Sequence, residues 1–196
     1  VREAVGPKID ICVDMHGRYD FVTAQAIAKK VEPLNLTWLE EPVPAENYAA
    51  FKEISAETNT PIASGENVYL GHGFKQLMDN GVDIIMPDLQ KCGGLGEGQR
   101  IANLANLYYK PFSPHMVASF LGAMATSHVC ASVPNFMILE WQAYFHTDQM
   151  WKDIVIYDGE WVKDGFIPLS NKPGIGVDIN EEGLKKYAQQ NIPFFV

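Results

Sequence analysis

Cysteine is scarce, and its placement excludes two architectures. Only Cys12, Cys92 and Cys130 occur, far apart and with no CxxC pair. That argues against a disulfide framework and a zinc knuckle, and suits a reducing compartment; the three read as small buried residues. Positive charge is also short. Fifteen Lys and Arg stand against 24 Asp and Glu, for a formal net charge of -9. A nucleic-acid surface needs clustered basic residues, and so does a polybasic membrane patch. An anionic substrate would need local positive charge, which a bound cation can supply. No apolar run is long enough to span a bilayer. The opening residues VREAVGPKID have no apolar signal-peptide core. These absences lead us to expect a cytoplasmic protein with no nucleic acid or membrane partner. A Gly-rich phosphate loop is missing as well: no GxGxxG or Walker A pattern follows any strand-like run, and KCGGLGEG comes late and does not fit.

What the chain does have is a slow alternation over 196 residues of ordinary globular composition, 47% hydrophobic and 20% charged. Short apolar runs at Ile11–Val13, Leu36–Leu39, Pro61–Ala63, Ile84–Met86, Pro111–Ser113 and Phe136–Leu139 each precede a helix-like stretch or a turn. These runs do not alternate apolar and polar residues, as expected of parallel strands covered on both faces. Strand–helix alternation implies a parallel α/β fold, either an open sheet or a TIM-type barrel. The barrel predicts reactive residues at the C-terminal strand ends. Asp14, Glu40, Glu66, Asp88, His115 and Glu140 stand at or just past those ends, spaced by 22 to 27 residues. We therefore expect a (β/α) barrel, incomplete at about six units, whose sequence starts partway around. Residues 1–143 would carry the strands and the site. Residues 144–196, rich in Gly and Pro turns before EEGLKKYAQQ, would form a return segment of the same domain.

Three carboxylates on consecutive strand ends, Asp14, Glu40 and Glu66, suit a hard divalent cation such as Mg2+, which prefers oxygen ligands. Without a cation such a trio is costly. One acid alone would more often be a helix cap; three in register favour the metal. His115 follows Ser-Pro at a strand end, unlike His72, His128 and His146, which receive no role. His128, in an apolar helical stretch, reads as a satisfied core residue.

The motifs VDMHG, WLEEPVP, SGEN, IIMPDLQKCGG, SPH and ILEW resemble, in order, the strand-end motifs of the mandelate racemase branch of the enolase superfamily. The resemblance implies Asp14, Glu40 and Glu66 as metal ligands, His115 as general base with Asp88 as its dyad partner, and Glu140 as the acid bonded to a substrate carboxylate oxygen. Glu41, Asn67 and Lys91 would support these from behind. The form Asp14-Met15-His16-Gly17-Arg18 is similar to acid-sugar dehydratases of the galactonate type, in which a His at the place of His16 protonates the departing hydroxyl. Since i and i+2 share a strand face, His16 would face the substrate. The resemblance thus implies dehydration of a sugar acid to a 2-keto-3-deoxy acid. Racemisation, epimerisation or cycloisomerisation is the alternative within the superfamily, and a catalytically idle fragment the alternative outside it. It also implies that the first strands and an N-terminal α+β capping domain are not in this sequence. A companion N-terminal segment, or a homo-oligomer, would then be the partner.

Overall fold

Short apolar runs, closed by a polar residue and a turn, become parallel strands because the helix that follows carries the chain back to the same end of the sheet. The computed structural model describes residues 1–117, 119–142 and 149–189. Strands β1 (Cys12–Asp14), β2 (Trp38–Glu40), β3 (Ile62–Ser64) and β4 (Ile84–Ile85) form one parallel sheet in chain order. The register pairs Asp14 with Glu40, Glu40 with Ala63, and Ala63 with Ile84. Two single parallel bridges, Ile85 to Phe112 and Phe112 to Phe136, carry the order on. The six parallel positions thus fall where the six apolar runs predicted them. The last two are one-residue bridges rather than the three- and four-residue strands expected. Their ladder reduces to a few bonds, such as Phe112 N–H to Asn135 O at 2.8 Å and Met137 N–H to Phe112 O at 2.9 Å.

Between the strands run α2 (Phe21–Val31), α3 (Tyr48–Glu57), α4 (Leu70–Asp79) and α5 (Leu95–Leu107), after a single opening turn α1 (Arg2–Val5). Asp20 and Asn47 cap α2 and α3 by accepting from Thr23 N–H and Ala50 N–H. Phe51, Ile54, Phe74, Leu77 and Ile101 are the largest fully buried side chains of these helices. Leu39, Ile62 and Ile85 are fully buried too. Trp38, Ala63, Ile84 and Met86 form a buried cluster of their own. Strand β1 is the exception to burial on both faces. It pairs only with β2 among the described residues, and Cys12 is exposed there. The expectation of three buried cysteines is therefore corrected at Cys12, because its strand is an edge.

The opening turn is fastened by one side chain. Arg2 donates to the carbonyls of Gly6, Ile9, Leu34 and Asn35. The last two follow α2, so the arginine ties residues more than 30 apart in sequence. Arg2→Ala is expected to destabilise the chain by about 1–2 kcal/mol, the worth of charge-assisted hydrogen bonds that also order a turn. Arg2→Lys, with no planar fork, should recover little of it. Urea denaturation of the three chains checks this.

The chain divides into two compact units, one of residues 1–115 and 133–139, the other of residues 116–132 and 140–196. The second holds α6 (Phe120–Ser132), α7 (Gln149–Ile154), an antiparallel pair of β5 (Val155–Ile156) and β6 (Asp178–Ile179), and α8 (Glu181–Tyr187). Its aromatic centre is Phe120, stacked on Trp161 at 4.0 Å between centroids. The small sheet and α7 were not expected, since their segment reads as irregular turns. His128 on α6 meets the Ile175 carbonyl at 3.2 Å, a structural contact as expected. His146 lies outside the described residues. Among those residues, no helix is long and apolar enough to cross a membrane.

Candidate active site

Parallel pairing sets the site out in space. Asp14 and Glu40 end neighbouring strands in direct register. Glu66 follows β3 by two residues, Asp88 follows β4 by three, and His115 follows the Phe112 bridge by three. The turns after the first three strands bend sharply: His16, Glu41 and Leu70 all have positive φ, at 53°, 35° and 57°. Such backbone is strained for residues other than glycine and concentrates at functional sites.

The side chains then alternate acid and imidazole. His115 Nδ1 is 2.9 Å from Asp88 Oδ2, and its Nε2 is 2.9 Å from Glu66 Oε2. His16 Nδ1 lies 3.7 Å from both Glu66 Oε1 and Asp14 Oδ2. The series Asp88, His115, Glu66, His16, Asp14 therefore draws on four strand ends. Asp14 Oδ1 also accepts from the His16 N–H at 2.7 Å, so the carboxylate holds the turn that bears the imidazole. His16 was expected to continue β1. Instead the strand ends at Asp14, and the left-handed turn aims His16 at the carboxylates.

Charge follows this pattern. The hydrogen bond from His115 holds the Glu66 carboxyl down at about 2, against the opposing effect of its burial. Burial pushes Asp88 up, but hydrogen bonds from His115 and the Gln90 N–H, with the charge of Lys91, leave it below its ordinary value. Lys91 Nζ stands 3.8 Å from the same Asp88 oxygen that meets His115. Glu41 goes the other way: burial and the nearby Glu66 raise it to about 7. Glu40 accepts from the Trp38 indole N–H at 3.1 Å. Asn67 donates to Glu66 at 2.8 Å and to Glu41 at 3.4 Å. Trp38 was not singled out from the sequence. Its one signal is its place two residues before Glu40, on the same strand face.

Among the described residues, no group of three or more His, Cys, Asp or Glu side chains is gathered so as to hold a metal ion as it stands. The donors nevertheless suit a hard divalent cation in kind. Asp14, Glu40 and Glu66 offer only oxygen, from three consecutive strand ends. Asp14 and Glu66 already converge on one imidazole nitrogen. Glu140 belongs to the second unit, where its Oε2 accepts from the Met116 N–H and its Oε1 from the Gln142 amide, both at 2.8 Å.

Comparison with known proteins extends the geometry. The family model of enolase C-terminal domain-like proteins matches residues 1–183. A D-xylonate dehydratase of Haloferax volcanii is 37% identical over 198 residues, covering 100% of this chain and 47% of that protein. A D-galactonate dehydratase of Pectobacterium atrosepticum is 36% identical over 187 residues, covering 93% of this chain and 49% of that protein. A mandelate racemase/muconate lactonizing enzyme-like protein from Rubrobacter xylanophilus superposes with a TM-score of 0.92 at 46% identity, over 100% of this chain and 50% of that one. The chain spans about half the length of the curated relatives it matches.

Proposed function

Because this chain belongs to the enolase C-terminal domain-like family, we propose that it carries the base and metal ligands of a Mg2+-dependent sugar-acid dehydratase. The observation that carries the reading is His115, set between Asp88 and Glu66 at the strand ends. Likeness to dehydratases of D-xylonate and D-galactonate supports the substrate class.

Asp14, Glu40 and Glu66 would hold the cation, which supplies a Lewis acid for a substrate carboxylate and the charge that develops beside it. The remaining work falls to the side chains. Asp88 fixes the His115 ring through Nδ1, leaving Nε2 as the atom that takes the proton next to the carboxylate. Nε2 now meets Glu66, so Glu66 must turn from it before the base can act. His16 is half exposed beside Asp14 and Glu66, where it can give a proton to the departing 3-hydroxyl. One C–H and one C–O bond break, water leaves, and the enol becomes a 2-keto-3-deoxy acid. Glu140 is proposed to donate, as the acid, to a substrate carboxylate oxygen.

Two edges of the sheet bear on partners. Beside β1, Ile9 is 55% exposed; at the other end Met137 and Ile138 are 44% and 52% exposed. We propose that a companion N-terminal segment supplying further βα units, or a second copy of the chain, covers these edges in the working enzyme, and that this enzyme works in the cytoplasm. The test is therefore made on an intact-length protein containing this chain. Incubation with D-xylonate, D-galactonate, D-gluconate and D-arabinonate should yield a 2-keto acid from at least one, and excess EDTA should abolish it. Undiminished turnover in EDTA refutes the metal reading. Exchange of the C2 hydrogen for deuterium without any keto acid would instead favour racemisation or epimerisation.

A further inference from the structure

Glu41 is the strand-end acid for which the proposed reaction has no use. It is 2% exposed, and its backbone is left-handed at φ 35°. Its carboxylate receives two long hydrogen bonds, from Ser64 Oγ at 3.5 Å and Asn67 Nδ2 at 3.4 Å. A buried carboxylate so thinly bonded costs stability, and so does the backbone that places it.

Its connections show what it holds. The Glu41 N–H donates to Ala63 O at 3.0 Å, and its carbonyl accepts from the Gly17 N–H at 2.8 Å. The residue therefore joins β3 on one side to the turn bearing His16 on the other. Its side chain reaches the residue next to Glu66. Asn67 Nδ2 carries two hydrogens and faces two carboxylates, Glu66 Oε1 at 2.8 Å and Glu41 Oε2 at 3.4 Å. A flipped amide would set its oxygen against two acids. With Glu41 removed, only one acceptor orients the amide.

We propose that Glu41 is a positioning residue: through Asn67 it fixes the rotamer of Glu66, and so the direction in which that carboxylate faces the site. Among the described residues, Glu66 otherwise meets His115 at 2.9 Å, the contact that must open for catalysis, and His16 at the longer distance of 3.7 Å. Asn67, backed by Glu41, provides the short hydrogen bond that remains when the His115 contact opens.

The first test needs no metal and does not depend on the dehydratase reading. Crystal structures of the intact-length protein and of its Glu41→Ala variant, grown in EDTA, are compared. The variant should keep its fold, turn the Asn67 amide, and show Glu66 in more than one rotamer. Glu41→Gln, whose side-chain oxygen can still accept from Asn67, should restore the single rotamer. It also serves if Glu41→Ala does not fold: the Asn67→Ala chain must then show the Glu66 disorder that Glu41→Gln lacks. An unchanged Asn67–Glu66 contact in Glu41→Ala overturns the proposal. The second test rests on Glu66 as a metal ligand and uses calorimetric titration with Mg2+. Glu41→Ala and Asn67→Ala should each weaken binding about tenfold, the usual loss for groups behind a ligand. Together they should weaken it no further, because they act in series. Losses that multiply would mean that Glu41 acts by its charge alone. An intact-length wild-type protein that takes up no Mg2+ fails the metal reading instead, and the crystal structures still decide the role of Glu41.

Discussion

His115→Asn is expected to lower the rate of keto-acid formation by about 10²–10⁴, the range in which a general base contributes. The intact-length protein described above is the material for this measurement. The physical basis is the ring's setting. His115 is buried, with one nitrogen on Asp88 and the other on Glu66. Asn can keep one hydrogen bond to Asp88 but has no atom that takes a proton near neutral pH. His16→Asn makes the informative comparison, since the His16 side chain is half exposed and its loss leaves no cavity. If His16 serves the departing hydroxyl, its loss should stop dehydration and leave exchange of the C2 hydrogen in deuterium oxide. His115→Asn should stop both. Exchange that survives in His115→Asn would take the base away from His115. Asp88→Asn should act through the ring, lowering the rate by letting the imidazole turn or change tautomer.

Gly65→Ala should give the largest loss of stability, about 3 kcal/mol from overpacking and backbone strain together. Gly65 joins β3 to Glu66 with φ 143°, where L side chains are rare. A Cβ there would lie 2.7 Å from Phe74 Cε1 and 3.0 Å from both the carbonyl carbon and oxygen of Met86. The Phe74 ring is fully buried and has little room to withdraw. The Met86 backbone is fixed by its N–H bond to Ser64 O at 3.0 Å. For a chain of this size the loss corresponds to a fall in Tm of roughly 6–12 °C. Calorimetry of both chains reads it, and a fall of less than about 2 °C would show that the loop gives way. Because Glu66 is the next residue, Gly65→Ala should also weaken Mg2+ binding more than a remote core change of equal cost.

Much of this was legible in the sequence. The apolar runs ending at Asp14, Glu40 and near Ser64 mark strand ends, because a buried run must stop where a polar side chain needs water or a partner. The roughly regular repeat gave the strand order, since a helix between two strands forces a parallel neighbour. Other features were not legible. The pair Glu40-Glu41 is two identical side chains in sequence. In the fold one ends β2 beneath Trp38, while the other is buried at the following left-handed residue. Alternation along a strand was the wrong rule for His16, because the strand stops two residues earlier. Cys12 was misjudged because nothing in its own segment says that its strand lies at an edge. The small β5–β6 sheet was missed because its strands are two residues long, too short for any period to show.

The sequence by itself determined the parallel α/β pattern, the order of the strands, and which acids and imidazoles stand at their ends. Those follow from periodicity and from motif order, which are local. Only the tertiary structure decided which partners each group meets: His115 between Asp88 and Glu66, His16 between Glu66 and Asp14, and Asn67 between Glu66 and Glu41. Charge and hydrogen bonding depend on distances of a few ångströms between residues as many as 50 positions apart. Such distances are set by register and by the turns after each strand, not by neighbours along the chain.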